Sequence, residues 1–283
     1  MEENHELIQN LQISKGVTIS TLNNCISINI EGMSGLAFVD YSVEILELIK
    51  KARFRVPKTP DTRKKYKYPY SNEYGKTLHQ MVFDYYFSEE QRLELYENNY
   101  IIEHLDNDGF NCQISNLYFL KDIKNTYKGW HLDKITKESL PVVAMKIYHI
   151  FENKTFQIVL FFNQSFINRV TSEHLETVKL LYDYNYEIVL QDAEQILESI
   201  IKTGAIKFDE WRRLYRFIDI RKTYYPKIEL TEDEKKQGFG TIIWRDGKPL
   251  LLVGMDENSV GLVNSVPYDV DWNVERWNLS PQL

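Results

Sequence analysis

The chain has 283 residues, 43% of them hydrophobic and 13% aromatic, with a formal net charge of -7. That length suits two ordinary domains or one large one, and the apolar content supports a buried core, which excludes a disordered chain. No run approaches the roughly 20 apolar residues of a membrane helix, MEENHELIQN is not a secretory leader, and Cys25 and Cys112 form no paired spacing, so a cytoplasmic protein with two reduced thiols is expected.

Residues 17–31, VTISTLNNCISINIE, alternate β-branched and polar residues about Asn23-Asn24 and predict a hairpin. SVEILELIKKARF places Val43, Ile45, Leu46, Leu48 and Ile49 at helical spacing, whereas VPKTPDTRKKYKYPY, with three prolines, predicts an irregular connector. TLHQMVFDYYF predicts a buried helix starting near Thr77, and NNYIIEHL a strand ending at His104. DNDG is a turn signal in which Gly109 is able to take a positive φ. CQISNLYFL then returns to a strand or enters a loop, and KDIKNTYKGW predicts a helix, so the order is strand, turn, strand, helix.

In the second half, PVVAMKIYHIFENKTFQIVLFF predicts a hairpin turning at 152–154, and DAEQILESIIKTG a helix stopped by Gly204. FDEWRRLYRFIDI predicts a further helix, whose Trp211, Arg212, Arg213 and Arg216 either touch DNA or form an amphipathic helix with a solvated basic edge. GTIIWRDGKPLLLVGMDENSVGLVN, with turn signals at Asp246-Gly247 and near 256–258, predicts a three-stranded meander.

The charge is unevenly spread. From Lys50 to Lys76 there are ten basic residues against two acidic ones, and residues 50–137 carry a net +4 while the rest of the chain carries -11. RKKYKYPYSNEYGK interleaves Tyr66, Tyr68, Tyr70 and Tyr74 with cations. Arg63, Lys64, Lys65, Lys67 and Lys76 could therefore neutralise phosphates while tyrosines fix sugars and bases, or the stretch is a solvated loop with tyrosines beneath it.

Read from residue types alone, His104 at a strand end suits a general base, since an imidazole titrates near pH 6.5, and the bland alternative is a surface histidine in a polar turn. Glu103, on the other face of an ideal strand, and Asn125, on the following helix, offer a carboxylate and an amide oxygen, a hard donor pair suited to Mg²⁺ or Mn²⁺. Zinc is disfavoured, because no cysteine or second histidine has suitable spacing.

Residues 101–125, IIEHLDNDGFNCQISNLYFLKDIKN, resemble the core of the HNH endonucleases, in the branch found in phage and intron homing enzymes. The matching positions are Glu103-His104, Leu105, Asp106, the turn 107–110, Asn111, Asn116-Leu117 and Asn125. LHQMVFDYYF is similar to the family's histidine-led helix, with His79 in that place, and the likeness covers roughly residues 38–130. It implies an α+β chain: a ββα-metal finger (core 77–130) within an N-terminal domain of residues 1–137, followed by a mixed α/β domain, 138–283, of unrecognised fold.

For function the resemblance implies a bacterial or phage DNA endonuclease, a nickase or a double-strand cutter, acting on double-stranded DNA with Mg²⁺ or Mn²⁺. His104 would be the general base, Glu103 and Asn125 the metal ligands, and Asn116 the residue that ties the loop and orients His104. Asp106 and Asn111 would be turn residues that support them, and His79 would either contact phosphate or only pack. The C-terminal half would supply recognition, homo-oligomerisation, a protein partner or control. Asp or His is usual at the position of Glu103, which is a methylene longer than Asp, so the alternative is a weakened HNH scaffold that binds DNA or regulates without turnover.

Overall fold

A computed structural model describes residues 8–22, 24–33, 35–55, 68–164, 166–168, 171–225, 230–238, 241–245, 248–252, 260–262, 268–269 and 271–272. Helices combine with antiparallel sheets in two compact units, 1–126 and 127–283, so the division falls eleven residues before the expected 137/138.

In the first unit β1 (Leu11–Ser14), β2 (Val17–Leu22), β3 (Cys25–Ile30) and β4 (Ala37–Asp40) form a sheet in sequential antiparallel order. Strand β2 alternates Val17, Ile19 and Thr21 inward, so one face is core and the other polar. The expected hairpin forms, with Leu22 opposite Cys25 and Asn24 at φ 59°; its other turn residue, Asn23, lies outside the described residues. Helix α1 (Val43–Lys51) follows, its N-terminus capped by Ser42 Oγ accepting the Ile45 N–H at 3.0 Å. Ile45, Leu46 and Ile49 are buried, whereas Val43 faces solvent.

Three short strands, β5 (Phe54–Arg55), β6 (Tyr70–Ser71) and β7 (Lys76–Thr77), form the next sheet. Arg55 pairs with Tyr70, so the basic connector, whose residues 56–67 are outside the described ones, leaves and returns at paired positions. Helix α2 (Leu78–Tyr86) starts where expected, with the Thr77 N–H donating to Gln80 Oε1 at 2.9 Å, and α3 (Glu89–Glu97), a helix with no fully buried residue, follows. Its apolar spacing is too sparse to announce it.

Strand β8 (Tyr100–His104) ends at His104, and after a loop and the 3₁₀ turn Ile114–Asn116 the chain returns as β9 (Leu117–Lys121) and enters α4 (Asp122–Trp130). Strand, loop, strand and helix therefore occur in the expected order. In the loop the positive φ falls on Asn107, at 61°, and not on Gly109, because an asparagine also tolerates the left-handed region. Leu117, Phe119 and Cys112 join α1, α2 and β2–β4 in one core cluster, which holds this hairpin against the first sheet.

The second unit contains α5 (Leu132–Ser139), then β10 (Val143–Ile150), β11 (Thr155–Phe162), β12 (Leu175–Asp183), α6 (Tyr186–Thr203), α7 (Phe208–Leu214) and β13 (Asp219–Tyr224). The four strands form one antiparallel sheet in that order. Lys154, at φ 48°, turns the expected β10–β11 hairpin, and α6 starts six residues earlier than DAEQILESIIKTG alone suggests. Gly204, at φ 59°, caps it in the left-handed conformation. Helix α8 (Glu232–Gln237) precedes the meander β14 (Ile242–Arg245), β15 (Lys248–Leu252) and β16 (Val260–Leu262). Both predicted meander turns, at 246–247 and 256–258, lie outside the described residues. No helix among the described residues is long and apolar enough to cross a membrane.

Candidate active site

His104 is the last residue of β8, opposite Leu117, and is 4% exposed. Its ring meets the edge of the His79 ring, centroids 5.0 Å apart, and stacks on Tyr68 at 5.4 Å and 21°. Tyr68 also packs edge-on against His79 at 4.8 Å, so three rings from β8, α2 and the root of the basic connector form one cluster. His104 Nε2 lies 3.9 Å from Cys112 Sγ. Burial, and then the charges of Asp108 and Asp106, push the Cys112 thiol up, so it is a packing group rather than a nucleophile.

A hydrogen-bond knot locks the loop that follows His104. Asn116, 3% exposed, accepts the Asp106 N–H on Oδ1 at 3.1 Å and donates through Nδ2 to Asp106 Oδ1 and to the Asn111 carbonyl, both at 2.8 Å. Its own carbonyl accepts the Leu105 N–H at 2.8 Å, which ties the backbone immediately after His104. Asn111 Nδ2 closes the ring by donating to Asp106 Oδ2 at 2.8 Å. The three residues expected to shape the loop therefore form one satisfied network, which holds the end of β8 rigid.

A fourth residue, which sequence reasoning passed over, pins that knot to the first sheet. Asp40, at the end of β4, accepts the Ile114 N–H on Oδ2 at 2.6 Å and the Gln113 amide on Oδ1 at 3.4 Å. Alongside, the Phe38 N–H donates to the Phe110 carbonyl and the Cys112 N–H to the Phe38 carbonyl, each at 2.8 Å. Asp40 and Ile114 are 74 positions apart, so no local pattern announces the contact. Asp40→Ala is expected to cost about 1–2 kcal/mol of stability, read as a shift in the urea unfolding midpoint. In the sequence Tyr68 is one tyrosine of the basic run, and its packing on His104 is a tertiary fact.

His79 is held neutral. Burial, and then repulsion from His104, lower its pKa to about 3; Nε2 lies 3.0 Å from Thr77 Oγ1, while Nδ1 is buried without a hydrogen-bond partner. Unfolded, the imidazole regains a pKa near 6.5 and binds a proton that the folded state refuses. Its contribution is therefore fully present above about pH 6.5 and is lost as pH falls toward 3, on the order of 2 kcal/mol by pH 4.5. His79→Phe is expected to shrink the gap between urea midpoints measured at pH 7.5 and pH 4.5. An unchanged gap would show that His79 does not set it.

Glu103, 7% exposed, pairs with Tyr118, and no bulge interrupts β8, so Glu103 and His104 start from opposite faces of the ribbon. Burial and then the Glu103 charge raise the Tyr68 hydroxyl's pKa, which places Glu103 within electrostatic reach of the ring that covers His104. Asn125 is half-buried in the first turn of α4, whose start is tied by the Asp122 N–H to the Asn99 carbonyl at 3.2 Å. In kind, a carboxylate and an amide oxygen fit a hard divalent cation that keeps several waters. Among the described residues no group of three or more His, Cys, Asp or Glu side chains is arranged to hold a metal.

Of the expected phosphate-binding cations, Lys76 is ion-paired with Asp84, a carboxylate shared with Arg92. Arg63, Lys64, Lys65 and Lys67 lie outside the described residues. In the second unit Trp211 is buried, and Arg216, which lies beyond α7, is committed to Asp192, with its N–H on Oδ2 at 2.6 Å and its guanidinium on Oδ1 at 3.0 Å. Comparison of the chain with protein-family models, with curated proteins and with solved structures finds no match.

Proposed function

We propose that the chain is a metal-dependent DNA endonuclease of the HNH type, hydrolysing phosphodiester bonds with His104 as general base. One observation carries the reading: His104 ends β8 beside the Asn116–Asp106–Asn111 knot, with β9 and α4 following, while the basic connector departs and returns at β5 and β6 and delivers Tyr68 onto the imidazole. A rigid imidazole on which Tyr68, the residue that ends a cationic stretch of sequence, is stacked suits hydrolysis of a polyanion.

In this reading His104 takes the proton of a water as its oxygen attacks phosphorus and the 3'-oxygen departs. Asn116 keeps β8 and the loop in register, so the imidazole does not drift from the attacking water. Connector cations hold the flanking phosphates. Glu103 and Asn125 would hold Mg²⁺ or Mn²⁺, which supplies charge stabilisation to the phosphoryl group when bound.

A second reading draws on the burial of His104 beneath Tyr68 and His79 and on the opposite faces from which Glu103 and His104 start. It makes the chain an HNH scaffold that binds or regulates DNA without turnover. Supercoiled plasmid incubated with the protein and Mg²⁺ or Mn²⁺ separates the two: nicked or linear product supports the nuclease. Plasmid binding without product at either metal supports the scaffold.

A further inference from the structure

The second unit holds a cavity of about 590 Å³, within the usual range for a small-molecule site. Several structural elements build its wall. Phe166 comes from the β11–β12 connection, Leu175 from β12, Ile206 and Lys207 from the turn between α6 and α7, Phe208 from the start of α7, and Lys222 and Tyr224 from β13. The β12–β13 ladder shifts register between Leu175 and Thr177, beside the pair Leu175–Tyr224, and such irregularities re-aim side chains at the edge of a sheet. Gly204, in the left-handed conformation, opens the α6–α7 turn, and no heavy atom lies within 4 Å of where its Cβ would be.

The lining has a consistent chemistry. Phe166, Phe208 and Tyr224 offer ring faces and edges to a flat apolar body. Lys222 Nζ sits 4.4 Å from the Phe208 ring centroid, with no carboxylate partner among the described residues. Lys207 Nζ is paired with Glu210 at 3.0 Å, but both side chains are exposed, so that pair is weak and an incoming anion competes with it. The Tyr224 hydroxyl accepts from Asn168 Nδ2 at 3.5 Å and keeps its own proton to donate. Both lysines line the cavity although residues 138–283 as a whole carry 17 basic against 22 acidic residues.

We infer that this cavity is a binding site for a small organic anion, a flat or aliphatic apolar body bearing a phosphate, sulfonate or carboxylate. The body lies among Phe166, Ile206 and Tyr224, and the acidic group meets Lys222 and Lys207. The inference is independent of the nuclease reading, because every residue it uses lies in the second unit.

The test is a fluorescence titration of the full chain with 1-anilinonaphthalene-8-sulfonate, beside the neutral N-phenyl-1-naphthylamine. Saturable binding of the sulfonate is expected, about ten-fold tighter than the neutral dye, the worth of one charge-assisted contact. The double variant Lys207→Glu/Lys222→Glu should lose that advantage with an unchanged thermal midpoint, and Lys222→Arg should keep it. Displacement by AMP identifies a ring-bearing phosphate as the ligand type, and displacement by decanoate an aliphatic acid. Equal affinity for the two dyes, undiminished binding by the double variant, or displacement by neither competitor would overturn the proposal.

Discussion

His104→Ala is expected to lower metal-dependent nicking of supercoiled plasmid by roughly 10²–10⁴-fold, the usual worth of a positioned general base. The imidazole is 4% exposed and packed between the Tyr68 and His79 rings, so truncation also opens a cavity. A cost of about 2–3 kcal/mol follows from that alone. His104→Gln fills most of the space without offering a base near neutral pH, and it should be equally inactive while melting closer to wild type. Cutting at the wild-type rate by both variants would remove His104 from the chemistry. Restored stability with persistent inactivity would separate a chemical role from a packing one.

The largest loss of stability is expected at Asn116. Its side chain satisfies the Asp106 N–H, one Asp106 carboxylate oxygen and the Asn111 carbonyl from a 3% exposed position. Asn116→Ala leaves the Asp106 N–H and the Asn111 carbonyl without that partner, while Asp106 Oδ1 keeps the Asp108 N–H at 2.9 Å, a cost of roughly 2–4 kcal/mol. Asn116→Asp should be worse, because it replaces two N–H donors with a carboxylate set against the Asp106 carboxylate and a carbonyl. Urea unfolding of both variants beside Asn111→Ala gives the order directly. If Asn116→Asp proves as stable as wild type, the knot is not what holds the loop.

Local patterns were readable wherever a short-range cause dominates. Thr77 and Gln80 mark the start of α2, Gly204 ends α6, and the alternation in residues 17–31 yields β2 and β3. In the loop after His104 either Gly109 or an asparagine can take a positive φ, and it is Asn107 that adopts it. Helix α3 escaped because none of its residues is buried, which leaves no apolar period to detect.

Residue types and spacing by themselves determined the strand–loop–strand–helix order around His104, the candidate donors Glu103 and Asn125, and a cationic connector upstream. These depend on chain-local propensities, which act over a few residues. Only the tertiary structure decided that Asp40 ties the loop to a sheet 74 positions away, that Tyr68 stacks on His104, and that His79 stays neutral below the usual imidazole range. Each of those depends on which surfaces the fold brings together and on the exclusion of water between them, and neither is written in the spacing of neighbouring residues.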